Sequence, residues 1–363
     1  MNIGGVAYLT VHLSRHYEKN VHFEHLLVYG PCKGSENEYQ ELASVNDKIC
    51  LYSLGRNLNL FFDFISLLKL YGVILRWKPD IIETHAFKPG ILLWILHSFF
   101  SRKVRIIHHY HGHLLEGYFG KVGKFVYCWV EKLSAKSKDC LTVDNQCTMK
   151  DLLHHGIGSA EQFELLRNGV KAPDVSNQKI RKEIKKVSFV GRFVDVKSPQ
   201  TFIEIARLVS LINVEIEFEM VGEGPLAEQL KILSQELGVP ITFHGFSNDL
   251  YSDIFPSVDL LVVTSLNEGV PLIIKQANFC GIPVISTSVG GIPEIVLNGI
   301  NGFCEDSVVE MARRILQLSY NQRLTKELSS NSLKEAETNF TLENYISNHS
   351  HLISSYLPRL SSM

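Results

Sequence analysis

The chain has 363 residues, with 36 Lys+Arg against 38 Asp+Glu and a formal net charge of −2. That length suits two α/β domains of ordinary size, and so even a charge balance gives no case for nucleic acid. Seven scattered cysteines with no CxxC pair fit free thiols in a reducing cytoplasm; no signal-peptide pattern and no apolar run of bilayer-spanning length occurs, so the expected location is cytoplasmic.

The chain opens Met-Asn-Ile-Gly4-Gly5-Val, which reads as the loop after a first strand, with the first helix following at once. The strand itself has no counterpart. In a doubly wound sheet that strand is usually central, so either the start lies upstream or the first domain is damaged. Strand patterns then follow at His25–Tyr29, Ile49–Ser53, Asp80–Thr84, Val104–His109, Cys140–Val143 and Phe163–Leu166, with helical stretches between them, including Phe119–Ser134. This alternation predicts a doubly wound α/β domain over 1–172.

Two stretches come nearest to membrane character. Leu58 to Leu75 is rich in Leu, Phe and Ile, and Gly90 to Phe100 is followed by Arg102, Lys103 and Arg105. Both are too short or too interrupted to span, and the plainer reading is a helix buried against a sheet. The alternative is a face resting on anionic lipid, with Trp94, Phe99 and Phe100 inserted and the cations on headgroups.

Character changes around Val170 to Lys186, where an inter-domain linker is expected. A second α/β series covers 173–340, and a helical tail covers 341–363. Val187–Val190 reads as a strand, and Ser198-Pro199 as a helix cap and first residue. From Val214 to Met220 apolar residues alternate with Glu215, Glu217 and Glu219, a period-two strand that ends at Gly222-Glu-Gly224-Pro225. Ile241–Phe246 is another strand.

The most informative stretch runs from Asp259 to Glu294. Asp259–Ser265 is a short apolar run suited to a buried parallel strand. Pro271 sits where a helix should begin and Gly281 where it should stop, and Val284–Ser286 is the next strand. Glu268 therefore lies beyond the carboxyl end of a strand, where open α/β sheets bind ligands. Backbone N–H groups near Val270, Pro271 and Leu272 can hold phosphate, Gly290 and Gly291 let backbone approach a ligand, and Gln276 can reach the same crevice. Upstream, Arg192 and Lys197 follow another strand end and could clamp a diphosphate.

Together these pieces resemble the retaining glycosyltransferases of family 4, which have the two-Rossmann GT-B fold. The resemblance rests on Phe189-Val-Gly191-Arg192…Lys197, Val221-Gly-Glu-Gly224-Pro225, Phe243-His-Gly-Phe246, Ser265…Glu268-Gly269-Val270-Pro271, Cys280-Gly-Ile-Pro-Val-Ile285, Gly290-Gly…Glu294 and Asn301-Gly302. The first half agrees through Gly4-Gly5, Thr84-His85…Lys88, His109-Tyr-His111-Gly-His113 and Asn168-Gly169-Val170.

The resemblance implies that Arg192 and Lys197 bind the donor's diphosphate, that Glu268 contacts hydroxyls of the donor sugar, and that Gly4, Gly5, Gly191, Gly224, Gly269, Val270, Pro271, Leu272 and Gln276 line the donor. The position of Gln276 normally carries a second glutamate that grips the ribose; an amide loses the charge-assisted pair. Lys275 beside it is also unusual. His111 would sit near the anomeric carbon, with His85, Lys88 and His113 on the acceptor side; His108 and His109 read as structural. The implied reaction is retaining transfer of a hexose from a UDP- or GDP-sugar, with no metal or cofactor, to a hydroxyl of a glycan or lipid-linked acceptor. Synthesis of a bacterial O-antigen, capsule or exopolysaccharide, with peripheral contact at the inner face of the cytoplasmic membrane, is the implied setting. Two alternatives stay open: a catalytically impaired GT-B relative that binds a nucleotide-sugar or a partner, and a GT-B sugar-nucleotide epimerase.

Overall fold

A computed structural model describes residues 4–32, 39–55, 59–100, 104–112 and 120–357, without the side chains of Lys121 and Val175. His113, Arg102 and Lys103 lie outside the described residues. The chain divides into two compact units. The first gathers the described parts of 1–115, 119–167 and 345–363, and the second holds Asn168–Asn344.

In the first unit the elements run α1 (Gly5–Glu18), β1 (Leu27–Tyr29), β2 (Lys48–Cys50), α2 (Leu60–Trp77), β3 (Ile81–His85), α3 (Phe87–His97), β4 (Arg105–Tyr110), α4 (Lys121–Ala135), β5 (Cys140–Val143), α5 (Gln146–His154) and β6 (Phe163–Leu165). All pairings are parallel, in two separate ladders: β1–β2, and β3–β4–β5–β6. Among the described residues no strand joins them. Val11 of α1 packs with Leu27, Leu42 and Val45, while Tyr110, Leu141, Val143 and Leu152 form a second cluster around β4 and β5.

The second unit runs β7 (Lys186–Val190), α6 (Pro199–Ser210), β8 (Glu217–Val221), α7 (Ala227–Glu236), β9 (Ile241–His244), α8 (Leu250–Asp253), β10 (Leu260–Val263), α9 (Leu272–Phe279), β11 (Val284–Ser286), β12 (Gly302–Cys304), α10 (Val308–Tyr320) and α11 (Gln322–Asn339). Its six parallel strands lie in the order β12-β11-β10-β7-β8-β9, with β7 and β10 adjacent at the switch point. Helix α12 (Leu342–Tyr356) closes the chain, and from Tyr345 onward it clusters with the first unit. Both units are thus Rossmann-like, as the GT-B pattern requires.

Several local expectations change. Residues 170–186 belong to the second unit: Arg181 is buried and donates to the carbonyls of Val258 at 2.7 Å and Phe255 at 2.6 Å. Strand β8 starts only at Glu217, and Glu219 is buried because β8 is an inner strand; it accepts from Ser188 Oγ at 2.6 Å. Ser198 precedes α6 in left-handed backbone (φ 45°) and makes no side-chain cap; Pro199 alone is the start signal. Pro271 is the extended residue before α9 rather than its first helical residue. In the supposed lipid helix, Trp94 and Phe100 are half-buried, and Arg105 pairs with Asp139 at 2.6 Å. Only Phe99 of that aromatic set is exposed.

Candidate active site

In the second unit the site grows from the carboxyl ends of β7 and β10. The loop after β7 is held by Gly191 N–H donating to Val221 O at 2.9 Å and Phe193 N–H to Glu223 O at 2.8 Å. Gly224 permits this: a Cβ there would lie 2.4 Å from Phe193 O. The same loop is tied to the segment after β10, with Leu266 N–H donating to Val196 O at 2.8 Å and Thr264 Oγ1 to Ser198 O at 2.9 Å.

Lys197 is thereby presented to Glu268. Its Nζ forms an ion pair with Glu268 Oε1, which also accepts from Ser265 Oγ at 2.6 Å. The pair is mostly shielded, at 24% and 11% side-chain exposure, so water screens it weakly. An ammonium has three donors, so the contact to Glu268 leaves two for an anion. Arg192, by contrast, is exposed beyond the end of β7. Gly191 has only ordinary contacts around a would-be Cβ, so packing does not explain it.

The Glu268–Leu272 segment is fixed from two sides. Gly290 has φ +55° and a Cβ there would stand 1.8 Å from Glu268 O, while Gly291 N–H donates to Gly269 O at 2.9 Å. Below, Asn168 Nδ2 donates to Val270 O at 3.2 Å. Asn168 is itself gripped by Lys275, whose Nζ donates at 2.5 Å to both its backbone O and its Oδ1. Lys275 is 1% exposed and lies 5.1 Å from the centroid of the Phe340 ring. The odd lysine of the sequence is therefore a strut beneath the loop. Its neighbours in the chain gave no hint of that, because Asn168 lies 107 positions away. The first-turn N–H groups of Leu272 and Ile273 have no partner within α9, as at any helix start, and Gln276 is half-buried one turn on.

The first unit collects histidines at the ends of β3 and β4. The rings of His85 and His109 stack at 4.3 Å and those of His85 and His111 at 5.2 Å, and His85 Nδ1 lies 2.9 Å from His111 Nε2. Burial, with the neighbouring imidazoles, lowers the pKa of His85 well below its usual value and that of His111 to about 3. His111 is thus a neutral hydrogen-bonding ring rather than a charge. His108 Nδ1 meets Thr84 Oγ1 at 2.7 Å and His109 Nδ1 meets Thr142 Oγ1 at 2.7 Å, so both rings are held inside the fold.

Glu83 sits under this stack, 3.1 Å from His349 Nε2 of α12 and 3.3 Å from His109 Nε2. Burial alone would raise the Glu83 pKa, but His349 and His109 outweigh it and hold it well below the usual carboxylate range. The three ligand-type atoms lie within 4.8 Å of one another, a spacing that could also hold a metal ion. Sequence reading missed the trio, since Glu83 and His349 are 266 positions apart.

Lys88 differs from its expected role. It is paired with Asp63 and donates to Gly55 O at 2.7 Å, so it ties α3 to α2 instead of standing ready for an acceptor. Gly4 and Gly5 are exposed at the start of α1, and a Cβ at Gly4 would meet nothing within 4 Å.

Comparison with known proteins agrees with this architecture. The model of Glycosyltransferase Family 4 matches residues 3–172, and that of Glycosyl transferases group 1 matches 171–335. The Escherichia coli UDP-Gal:alpha-D-GlcNAc-diphosphoundecaprenol alpha-1,3-galactosyltransferase is 31% identical over 271 residues, covering 69% of this chain and 68% of that protein. Among solved structures, Anabaena HepE in complex with UDP and glucose superposes with a TM-score of 0.76 at 18% identity, over 97% of this chain and 96% of that one. The lipopolysaccharide outer core galactosyltransferase WaaB does so with a TM-score of 0.73 at 16% identity, over 98% and 97%. On the two adjoining family matches and the galactosyltransferase relative, this chain belongs to glycosyltransferase family 4.

Proposed function

We propose that this glycosyltransferase moves a hexose from a UDP-sugar to a hydroxyl of a lipid-linked glycan acceptor, with retention at the anomeric carbon. The observation that carries the reading is the Lys197–Glu268–Ser265 group at the adjacent ends of β7 and β10. Lys197 and the exposed Arg192 take the diphosphate, and the N–H groups opening α9 take its distal phosphate. Glu268, held by Lys197 and Ser265, orients the sugar hydroxyls. Gln276 meets the ribose with one donor and one acceptor.

The bond from the anomeric carbon to phosphate oxygen breaks as the acceptor oxygen bonds the same face. The acceptor proton passes to the departing phosphate. Lys197 and Arg192 stabilise the charge that develops there, so most of the catalysis is electrostatic. UDP rather than GDP, and a lipid-diphosphate acceptor, are supported by the galactosyltransferase relative's own donor and acceptor.

The test is transfer from a panel of UDP- and GDP-sugars to a synthetic lipid-diphosphate sugar, with the anomeric configuration read by NMR. An inverted product would sink the retaining mechanism. Lys197→Ala should lower kcat/KM by roughly 10²–10³-fold. Wild-type protein that binds UDP-sugars but turns none over would favour the impaired-relative reading that Gln276 motivates.

A further inference from the structure

Glu83, His109 and His349 form a cluster that the transfer chemistry does not use. They come from three elements of the first unit: Glu83 from β3, His109 from the neighbouring β4 and His349 from α12. Glu83 Oε2 lies 3.1 Å from His349 Nε2 and 3.3 Å from His109 Nε2, and all three atoms fall within 4.8 Å of one another. Among the described residues no other three His, Cys, Asp or Glu side chains converge in this way. Donor atoms around a tetrahedral ion bound at about 2.0–2.1 Å stand about 3.3–3.4 Å apart, so two edges of the trio are already near ligating length.

The far side of each imidazole is held as a metal ligand needs. His109 Nδ1 lies 2.7 Å from Thr142 Oγ1, and His349 Nδ1 lies 2.8 Å from the Tyr17 hydroxyl. With Nδ1–H donating to a hydroxyl, each Nε2 keeps its lone pair and turns it toward Glu83. His109 Nε2 is buried without a hydrogen-bond partner among the described residues, because its 3.3 Å approach to Glu83 lacks hydrogen-bond alignment. A lone pair facing a carboxylate is repelled, and a cation between them turns both contacts attractive. The two rings are closed to water, at 2% and 0% side-chain exposure, whereas Glu83 keeps 21% and so leaves an ion a way in. Two imidazoles and one carboxylate suit zinc and similar transition metals, while magnesium and calcium prefer oxygen throughout. His85 repeats the arrangement: its Nε2 stands 4.0 Å from the same carboxylate oxygen and its Nδ1 is 2.9 Å from His111 Nε2, so a small ring rotation offers a fourth ligand.

We propose that Glu83, His109 and His349 bind a divalent transition-metal ion of the zinc class, with Thr142 and Tyr17 orienting the two imidazoles. The ion ties α12 to β3 and β4. It thereby fixes the His109 ring on which His85 stacks at 4.3 Å. Its role is structural: no step of the transfer passes through it, and its geometry does not depend on the donor or acceptor.

The experiment takes the full chain, strips it with a chelator and titrates it with zinc alone, without donor or acceptor. Wild type should take up a single zinc per chain, read by calorimetry and by elemental analysis after gel filtration. Its first melting transition should rise by roughly 5–10 °C at zinc about a hundredfold above the dissociation constant. Cobalt in place of zinc should give the visible bands of a tetrahedral nitrogen and oxygen site, without the near-ultraviolet band of a thiolate ligand. Glu83→Gln keeps the side-chain volume and should abolish both the uptake and the melting shift. Tyr17→Phe leaves every ligand in place and removes only the hydroxyl behind His349; zinc affinity should fall about 10–100-fold. His244→Gln breaks a His–Glu contact of 3.2 Å in the second unit and should change neither readout.

Wild type that takes up no zinc overturns the proposal. So does uptake that Glu83→Gln leaves intact, or a thiolate band in the cobalt spectrum, since the ion would then sit elsewhere. Zinc affinity unchanged in Tyr17→Phe would remove His349 from the site as drawn, and uptake without a melting shift would refute the structural role. None of these readouts involves turnover, so failure of the transferase reading would leave them as they are.

Discussion

Replacing Gly290 with alanine tests whether the Glu268 loop is held by backbone fit. Two effects add. The residue sits at φ +55°, where a Cβ costs roughly 1–2 kcal/mol. The new carbon would also stand 1.8 Å from Glu268 O. Relief to ordinary contact needs a shift on the order of 1.5 Å. The obstacle is a main-chain carbonyl, so no side chain can swing aside; the loop itself must move, at roughly 1–3 kcal/mol of further strain. The sum, about 2–5 kcal/mol, should lower the second unit's melting temperature by roughly 5–15 °C for a unit of this size.

The functional effect should be larger than the thermal one. Moving the loop pulls Glu268 off Lys197 and Ser265, and a misplacement near 1 Å can reduce turnover by about 100-fold. Gly299→Ala is the matched control. It has φ +74° and nothing within 4 Å of the new carbon, so it carries the backbone cost without the collision. Thermal melts and transfer rates on both variants separate the two terms. Equal melting losses with full activity in both would refute the claim that the Gly290 approach sets the Glu268 geometry.

Other predictions follow from the same contacts. Lys275→Met keeps the volume but removes both donors to Asn168, so the second unit should lose roughly 3 kcal/mol, and donor KM should rise more than kcat falls. An unchanged melt and KM would mean that the strut carries nothing. The first unit should be acid-labile: His85, His108, His109 and His111 all have depressed pKa values, chiefly from burial, so their contribution is complete above about pH 6.5 and lost as pH falls. Glu131, raised to about 7 by burial, acts oppositely, losing its contribution as pH rises from about 4.5 through 7. With His16 and His25, which burial shifts the same way, the imidazoles outnumber that carboxyl, so the net effect below about pH 6.5 is a loss of stability as pH falls. Melts between pH 7.5 and 5 should show one transition falling steeply while another holds; a pH-independent pair would contradict it.

The fold was legible because its signals are local. Parallel strands buried on both faces read as short apolar runs, and Leu260–Val263 and Cys140–Val143 stand where those runs lie. The errors share a cause. The Val214–Met220 alternation implied a one-sided strand, but β8 is flanked by β7 and β9, so Glu219 is drawn inside to Ser188 and His244. Tertiary position decided burial, and periodicity could not report it. Ser198-Pro199 gave the correct helix start for half the stated reason, because the Ser backbone is left-handed and its hydroxyl turns to Thr201 at 2.8 Å.

The site divides along the same line. Arg192, Lys197, Glu268 and Gly290 could be singled out because strand ends and turns mark them locally. What they do to one another could not. That Lys197 holds Glu268 follows from the adjacency of β7 and β10, a pairing that skips two intervening strands. The pair also changes the expected division of labour: a diphosphate that binds Lys197 competes with a carboxylate already seated there. Donor binding must then weaken the Lys197–Glu268 contact or share it through the remaining ammonium protons. If it shares, Glu268→Gln should weaken UDP-sugar binding while leaving UDP binding intact. If it weakens the contact, the same change should tighten UDP, because the anion no longer has to displace a carboxylate. Calorimetry of both ligands on the one variant decides between them, and no change in either would remove the pair from the donor site.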